Sequence, residues 1–132
     1  MYLLDTDICV YYLRGTRPIL SSRLTGTSEG ELGVTAITAG ELLFGGMHSS
    51  HPPTDLERTE RLLGWLRIAP FTLVAAHHYA VIREYLTQRG MIIGPNDLLI
   101  AATALAENAT LVTNNVREFS RVPGLSVENW TQ

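Results

Sequence analysis

The chain has 132 residues and a mass of 14.6 kDa, with 45% hydrophobic and 17% charged residues. That composition excludes a disordered chain and predicts one compact domain over residues 1–132. A net charge of −3 gives no support for a broadly basic nucleic-acid binder. All ten basic residues are arginine, which excludes lysine chemistry, and the lone Cys9 excludes an internal disulfide and a cysteine-only zinc site.

No apolar run approaches the ~20 residues of a membrane helix. No charged leader precedes the first strand-like residues, so a cytoplasmic location is expected. Tyr2 to Leu4 is predicted as a short buried strand that ends at Asp5, followed by a helix from Thr6 to Leu13 that Gly15 stops. A short helix from Arg17 to Leu24 carries Pro18 in its first turn, and Thr25 to Gly30 is a polar loop. Leu32 to Thr35 is a second strand, and Thr38 opens a helix running to about Gly45.

A turn-rich break from His48 to Pro53 leads into a helix from Thr54 to about Arg67, with Thr54 and Glu57 at capping-box spacing. Phe71 to Val74 is predicted as extended. Ala75 to Arg89 is a helix with Tyr79, Ile82 and Leu86 on one stripe and Gly90 as its stop. Gly94-Pro95-Asn96 introduces an apolar helix from Leu98 to Glu107, ended by Asn108. Thr110 to Thr113 is a further strand, and Ser126 to Glu128 is the last. Short apolar strands alternating with helices predict an α/β fold: a central parallel sheet with helices on both faces.

The aspartates are scarce, and three of the four fall at chemically suggestive places. Asp5 sits at the carboxyl end of the first strand, the edge at which open parallel sheets bind ligands. Glu41 lies near the start of the helix after the second strand. Asp97 lies at the start of another helix, and Asn114 and Asn115 follow the Thr110–Thr113 strand. Each also has a structural explanation: Asp5 or Asp7 as a helix N-cap, Glu41 as the partner of Thr38 in a capping box, Asp97 as a helix-dipole charge. Their convergence on one rim favours a shared role. Clustered carboxylates repel and call for a cation, and hard oxygen donors without histidine or cysteine suit Mg²⁺ or Mn²⁺. His48 and His51 lie in a proline-rich loop, and His77 and His78 are adjacent rather than i, i+4, so neither pair supplies a metalloprotease motif.

Four ordered motifs carry a family resemblance: Leu3-Leu4-Asp5-Thr6-Asp7, Thr38-Ala39-Gly40-Glu41-Leu42, Gly94-Pro95-Asn96-Asp97, and Thr113-Asn114-Asn115-Val116-Arg117-Glu118-Phe119. In this order and spacing the chain resembles the PIN-domain ribonucleases, specifically VapC-type toxins of toxin–antitoxin pairs, from Tyr2 to Trp130. The resemblance implies a PIN-like three-layer fold and a Mg²⁺-dependent endoribonuclease, with tRNA among the candidate substrates. It assigns Asp5, Glu41 and Asp97 to the catalytic metal site. It gives Thr6, Asp7, Thr113, Asn115 and Glu118 supporting places. Asn115 stands where many relatives carry aspartate, and Glu118 is the nearby acid. Asp7 stands where relatives usually have asparagine.

The resemblance further implies a homodimer and a cognate antitoxin lying over the site, with the helices Arg17–Leu24 and Thr54–Arg67 forming part of that groove. Arg14, Arg17 and Arg117 are the candidates for RNA phosphate contacts because they fall near the proposed rim. A haloacid-dehalogenase-type phosphatase, suggested by Asp5-Thr6-Asp7, and a phospho-receiver domain both require a lysine that this chain lacks. The remaining alternative is a degenerate PIN domain that binds RNA or protein without cleavage.

Overall fold

A computed structural model describes residues 1–132. The chain runs β1 (Tyr2–Leu4), α1 (Thr6–Arg14), α2 (Pro18–Thr25), β2 (Leu32–Thr35), α3 (Ala36–Met47), α4 (Pro52–Trp65), β3 (Arg67–Ala69), α5 (Leu73–Gln88), α6 (Pro95–Ala106), β4 (Thr110–Val112), α7 (Val116–Phe119) and β5 (Ser126–Glu128). The five strands form one sheet in the order β3-β2-β1-β4-β5, and every pairing is parallel. The α/β architecture predicted from the alternation of elements is therefore present. No helix is long and apolar enough to cross a membrane.

Strand alternation divides the core between the two faces of the sheet. Leu3 and Leu111 join Ile82, Leu86, Ile100 and Phe119 on the side covered by α5, α6 and α7. The adjacent Leu4 and Val112 join Ile8, Leu20, Leu42 and Leu62 on the side covered by α1 to α4. With both faces covered, the strands read as apolar runs rather than alternating ones. Each fully buried large apolar side chain contributes about 1.5–3 kcal/mol. Gly15 ends α1 in the left-handed conformation, φ 66°, where a side chain would be strained. Gly46 lets α3 approach α4: a Cβ there would lie 3.1 Å from the Leu56 Cα.

The chain winds outward from β1 through β2 to β3, then returns to β4 on the other side of β1. This reversal puts a switch point at the carboxyl ends of β1 and β4, where the loops diverge and leave a crevice.

Several element boundaries differ from the sequence reading, among them the start of α6, which lies at Pro95 rather than Leu98. The edge strand is Arg67–Ala69, not Phe71–Val74, because Gly33, Val34 and Thr35 of β2 pair with Arg67, Ile68 and Ala69. Thr72 instead caps α5, its hydroxyl accepting from the Ala75 N–H at 3.2 Å. Helix α3 begins at Ala36, capped by Thr35, whose Oγ1 accepts from the Thr38 N–H at 3.0 Å. Helix α4 begins at Pro52 and uses no side-chain cap, so the Thr54–Glu57 box does not form. Proline at the first helical turn loses no intrahelical hydrogen bond, which lets the helix start earlier.

Candidate active site

Asp5 stands at the switch point as the N-cap of α1. Its Oδ1 accepts from the Thr6 N–H at 2.8 Å, and its Oδ2 accepts from the Thr113 hydroxyl at 2.8 Å. The capping role and the place on the rim are therefore compatible. Burial and the neighbouring Asp7 charge push the Asp5 carboxyl up to about 7, against the pull of the Thr113 and Thr6 hydrogen bonds.

Glu41 lies in the second turn of α3 and does not cap it. Its Oε1 accepts from the Thr6 hydroxyl at 2.6 Å, and its Oε2 accepts from the Asn96 amide at 3.3 Å. The Thr6 hydroxyl is also 3.2 Å from that of Thr38. Thr6 thus ties the α1 entrance to α3, while Asn96 ties α3 to the start of α6. Thr38 and Asn96 are parts of this lattice that the sequence did not mark as site residues; their places within the quoted motifs were the only available signal.

Asp97 lies in the first turn of α6. Burial and then the adjacent Glu118 charge push its carboxyl up to about 6, with Glu41 and Asp7 adding smaller repulsions. Glu118 is held below the usual carboxylate range, chiefly by the Gly94 N–H at 3.0 Å and the Asn115 amide at 2.8 Å. Asn115 thus supplies a donor that orients Glu118, and Glu118 supplies the acid beside Asp97. The single turn α7, absent from the predicted elements, makes this pairing possible.

Asp7 completes the cluster. Its Oδ2 accepts from the Asn114 N–H at 3.3 Å, while its buried Oδ1 has no partner. Burial raises its pKa, opposed by the Ile8 and Asn114 N–H groups. Behind it the Cys9 thiol is fully buried and pushed up by desolvation, then by Asp5 and Asp7, so it behaves as a small apolar group.

No arginine, lysine or histidine pairs with these acids; the three ion pairs are Met1–Glu31, Arg23–Glu128 and Arg61–Glu57. Mutually repelling carboxylates, of which Glu118 alone feels a neighbouring arginine (Arg121), one orphaned buried oxygen and an all-oxygen donor set fit a hard divalent cation such as Mg²⁺ or Mn²⁺. No three acidic, histidine or cysteine side chains already enclose one point.

The arginine candidates occupy different surroundings. Arg14 is exposed and shares an open cleft of about 330 Å³ with Thr6, Glu41, Asp55 and Arg58. Arg17 lies 4.3 Å over the Tyr11 ring, whose hydroxyl accepts from the Asn114 amide at 3.4 Å. Arg117 is exposed on α7, next to Glu118. The cleft beside Arg14 is walled by α1, α3 and α4, and α4 is one of the two helices expected to line the antitoxin groove.

A family model for the PIN domain matches residues 2–125. The chain is 39% identical over 131 residues to Ribonuclease VapC2 of Rickettsia felis, covering 98% of each. It is 32% identical over 130 residues to the tRNA(fMet)-specific endonuclease VapC of Shigella flexneri, again covering 98% of each. Among solved structures, VapBC2 of Rickettsia felis bound to a promoter DNA fragment contains a chain that superposes with a TM-score of 0.92 at 38% identity, covering 98% of both chains.

Proposed function

From the premise that this chain belongs to the PIN-domain family and has VapC ribonucleases as full-length relatives, we propose that it is a Mg²⁺-dependent endoribonuclease, the toxin of a toxin–antitoxin pair. The observation that carries this reading is the convergence of Asp5, Glu41, Asp97 and Glu118, from four separate segments, on the crevice at the carboxyl ends of β1 and β4.

Asp5, Glu41 and Asp97 would hold the metal, with Glu118 supplying the fourth acid in place of Asn115. Bound there, Mg²⁺ supplies Lewis acidity and a lowered pKa for water, the chemistry that phosphodiester hydrolysis requires. The chain's own residues set the stage. Thr113 and the Thr6 N–H fix both oxygens of Asp5, and the Thr6 hydroxyl and Asn96 fix those of Glu41. Asn115 and Gly94 hold Glu118 ionised beside Asp97. Without a cation, burial and the Asp7 charge raise the Asp5 carboxyl, and a bound divalent cation would favour its ionised, ligating form.

RNA phosphates approach an acidic protein only where local positive charge offsets its field. Arg14, Arg17 and Arg117 are the proposed contacts, and the bound metal adds charge at the centre. The cleft between α1, α3 and α4 reaches Glu41 and offers an antitoxin segment a place from which to block the site. Homodimerisation is proposed by analogy with the family, as is tRNA as the substrate class, the latter from the printed name of the Shigella relative.

The direct test is cleavage of RNA by purified protein. Cleavage is expected with Mg²⁺, to be absent in EDTA, and to be lost in Asp5→Asn and Asp97→Asn variants that fold normally. RNA binding that persists without cleavage in wild type plus Mg²⁺ would instead establish a degenerate, non-cleaving PIN domain. Sequencing of RNA ends after brief expression of wild type and Asp97→Asn identifies the target.

A further inference from the structure

We propose that Phe44 and His48 form a stacking platform for one unpaired base of the RNA, beside the scissile phosphate; the proposal rests on the ribonuclease reading above. Phe44 is 66% exposed although it sits in the middle of a well-formed helix. Its ring lies parallel to that of His48, with centroids 5.3 Å apart and an interplanar angle of 11°. The two residues are one helical turn apart, and Phe44 is one turn beyond Glu41, so all three share a face of α3.

That face opens onto a cleft of about 640 Å³, walled by Phe44, Gly40, Glu41, Ile37, Thr6 and Asn96. The depression is shallow and open to solvent, a shape that receives the flat face of a base rather than enclosing a whole ligand. Thr6, Glu41 and Asn96 belong to the acidic lattice, so a base resting on Phe44 is joined to a phosphate at the rim by its own sugar. Gly40 supports the placement. A Cβ at this position would meet nothing within 4 Å, so no neighbour in the protein demands glycine, which is a poor helix former. The bare backbone leaves the cleft floor open to close approach.

The opposite flank of Glu41 has a different character. There the cleft of about 330 Å³ carries Arg14 and Arg58 beside Asp55, with Arg58 also donating to the Leu13 carbonyl. A single strand crossing α3 at Glu41 therefore meets guanidinium groups on one side and an aromatic slab on the other. Phosphates favour the first, and an unstacked base favours the second. A flat ring backed by an imidazole and bordered by polar Thr6, Glu41 and Asn96 offers a nucleobase a face to stack on and polar groups to meet its edge. Stacking places no demand on which base is bound, so Phe44 contributes affinity and position rather than sequence choice.

The test uses the full chain carrying Asp97→Asn to prevent cleavage, with Mg²⁺ and single-stranded RNA oligonucleotides bearing 2-aminopurine at successive positions. Quenching on binding is expected at one position. Adding Phe44→Ala should abolish the quench and weaken binding by about five- to a hundredfold, the range for loss of one base–aromatic stack. Phe44→Trp should retain both, and the salt dependence should not change because no phosphate contact is lost. Unchanged affinity and quenching in Phe44→Ala overturn the proposal. If that variant instead breaks a dimer in sedimentation, or loses only antitoxin binding, with RNA affinity intact, the face belongs to a protein partner and the proposal also fails. If the Asp97→Asn parent binds no RNA while correctly folded, the ribonuclease reading falls first and takes the platform with it.

Discussion

Replacing Asp5 by asparagine isolates the charge stored at the site. The substitution keeps the shape: Oδ1 can still accept from the Thr6 N–H, and the Thr113 hydroxyl can turn to accept from the new amide. Asp5 is only 6% exposed and titrates near 7 rather than at 3.8. Its folded pKa is raised, so the folded state holds the proton more tightly than the unfolded chain. The stability this confers is fully present below about pH 3.8 and is lost as the pH rises through about 7. The complete loss corresponds to ~4 kcal/mol, and about 2–3 kcal/mol of it falls between pH 5 and pH 8.

The asparagine side chain does not titrate, so Asp5→Asn in EDTA should gain on the wild type by that amount between pH 5 and pH 8. Urea unfolding detects it: with a slope of ~2 kcal/mol/M, the midpoints should separate by roughly 1 M more at pH 8 than at pH 5. Mg²⁺ at a hundredfold excess over Kd should then return about 2.7 kcal/mol to the wild type and little to the variant. Two results would refute the reasoning. One is a difference between the proteins that stays constant from pH 5 to pH 8. The other is an equal Mg²⁺ gain in both, which would mean that Asp5 is not part of a cation site.

Mg²⁺ or Mn²⁺ should raise the wild-type melting temperature more than NaCl of matched ionic strength, and equal melts in both would remove the shared metal site. Glu118→Gln should lower the Asp97 pKa from about 6 toward its ordinary value, because the neighbouring negative charge is gone; carboxyl NMR titration measures it, and an unmoved Asp97 would show that the two acids are not coupled. Asp7→Asn should keep RNA cleavage and weaken Mg²⁺ binding slightly, as measured by calorimetry. A loss of activity as deep as that of Asp5→Asn would make Asp7 a direct metal ligand. Alanine at Arg14, Arg17 or Arg117, in the Asp97→Asn background, should make the slope of log K against log salt shallower by about 0.7 for each true phosphate contact. Unchanged slopes in all three would place the RNA path elsewhere.

The resemblance to the PIN family was legible because its motifs are local. Leu3-Leu4-Asp5-Thr6 carries a strand, its end and a helix cap in consecutive residues, and Gly94-Pro95-Asn96-Asp97 carries a helix start with its acid. Alternating apolar strands and helices likewise determined a parallel sheet with both faces covered, since no other layer arrangement buries such strands. The edge strand was different. Arg67–Ala69 and Phe71–Val74 are both short apolar stretches, and pairing with Gly33–Thr35 of β2 selected the first while Thr72 turned the second into a helix start. The charge state of the rim was also beyond local reading. Asp97 and Glu118 are far apart in sequence, yet the Gly94 N–H and the Asn115 amide hold one acid ionised against the other. Sequence spacing thus determined where the acids leave the backbone. Only the packing of α3, α6 and α7 over the ends of β1 and β4 decided which acids meet, because burial and mutual repulsion depend on distances through space rather than along the chain.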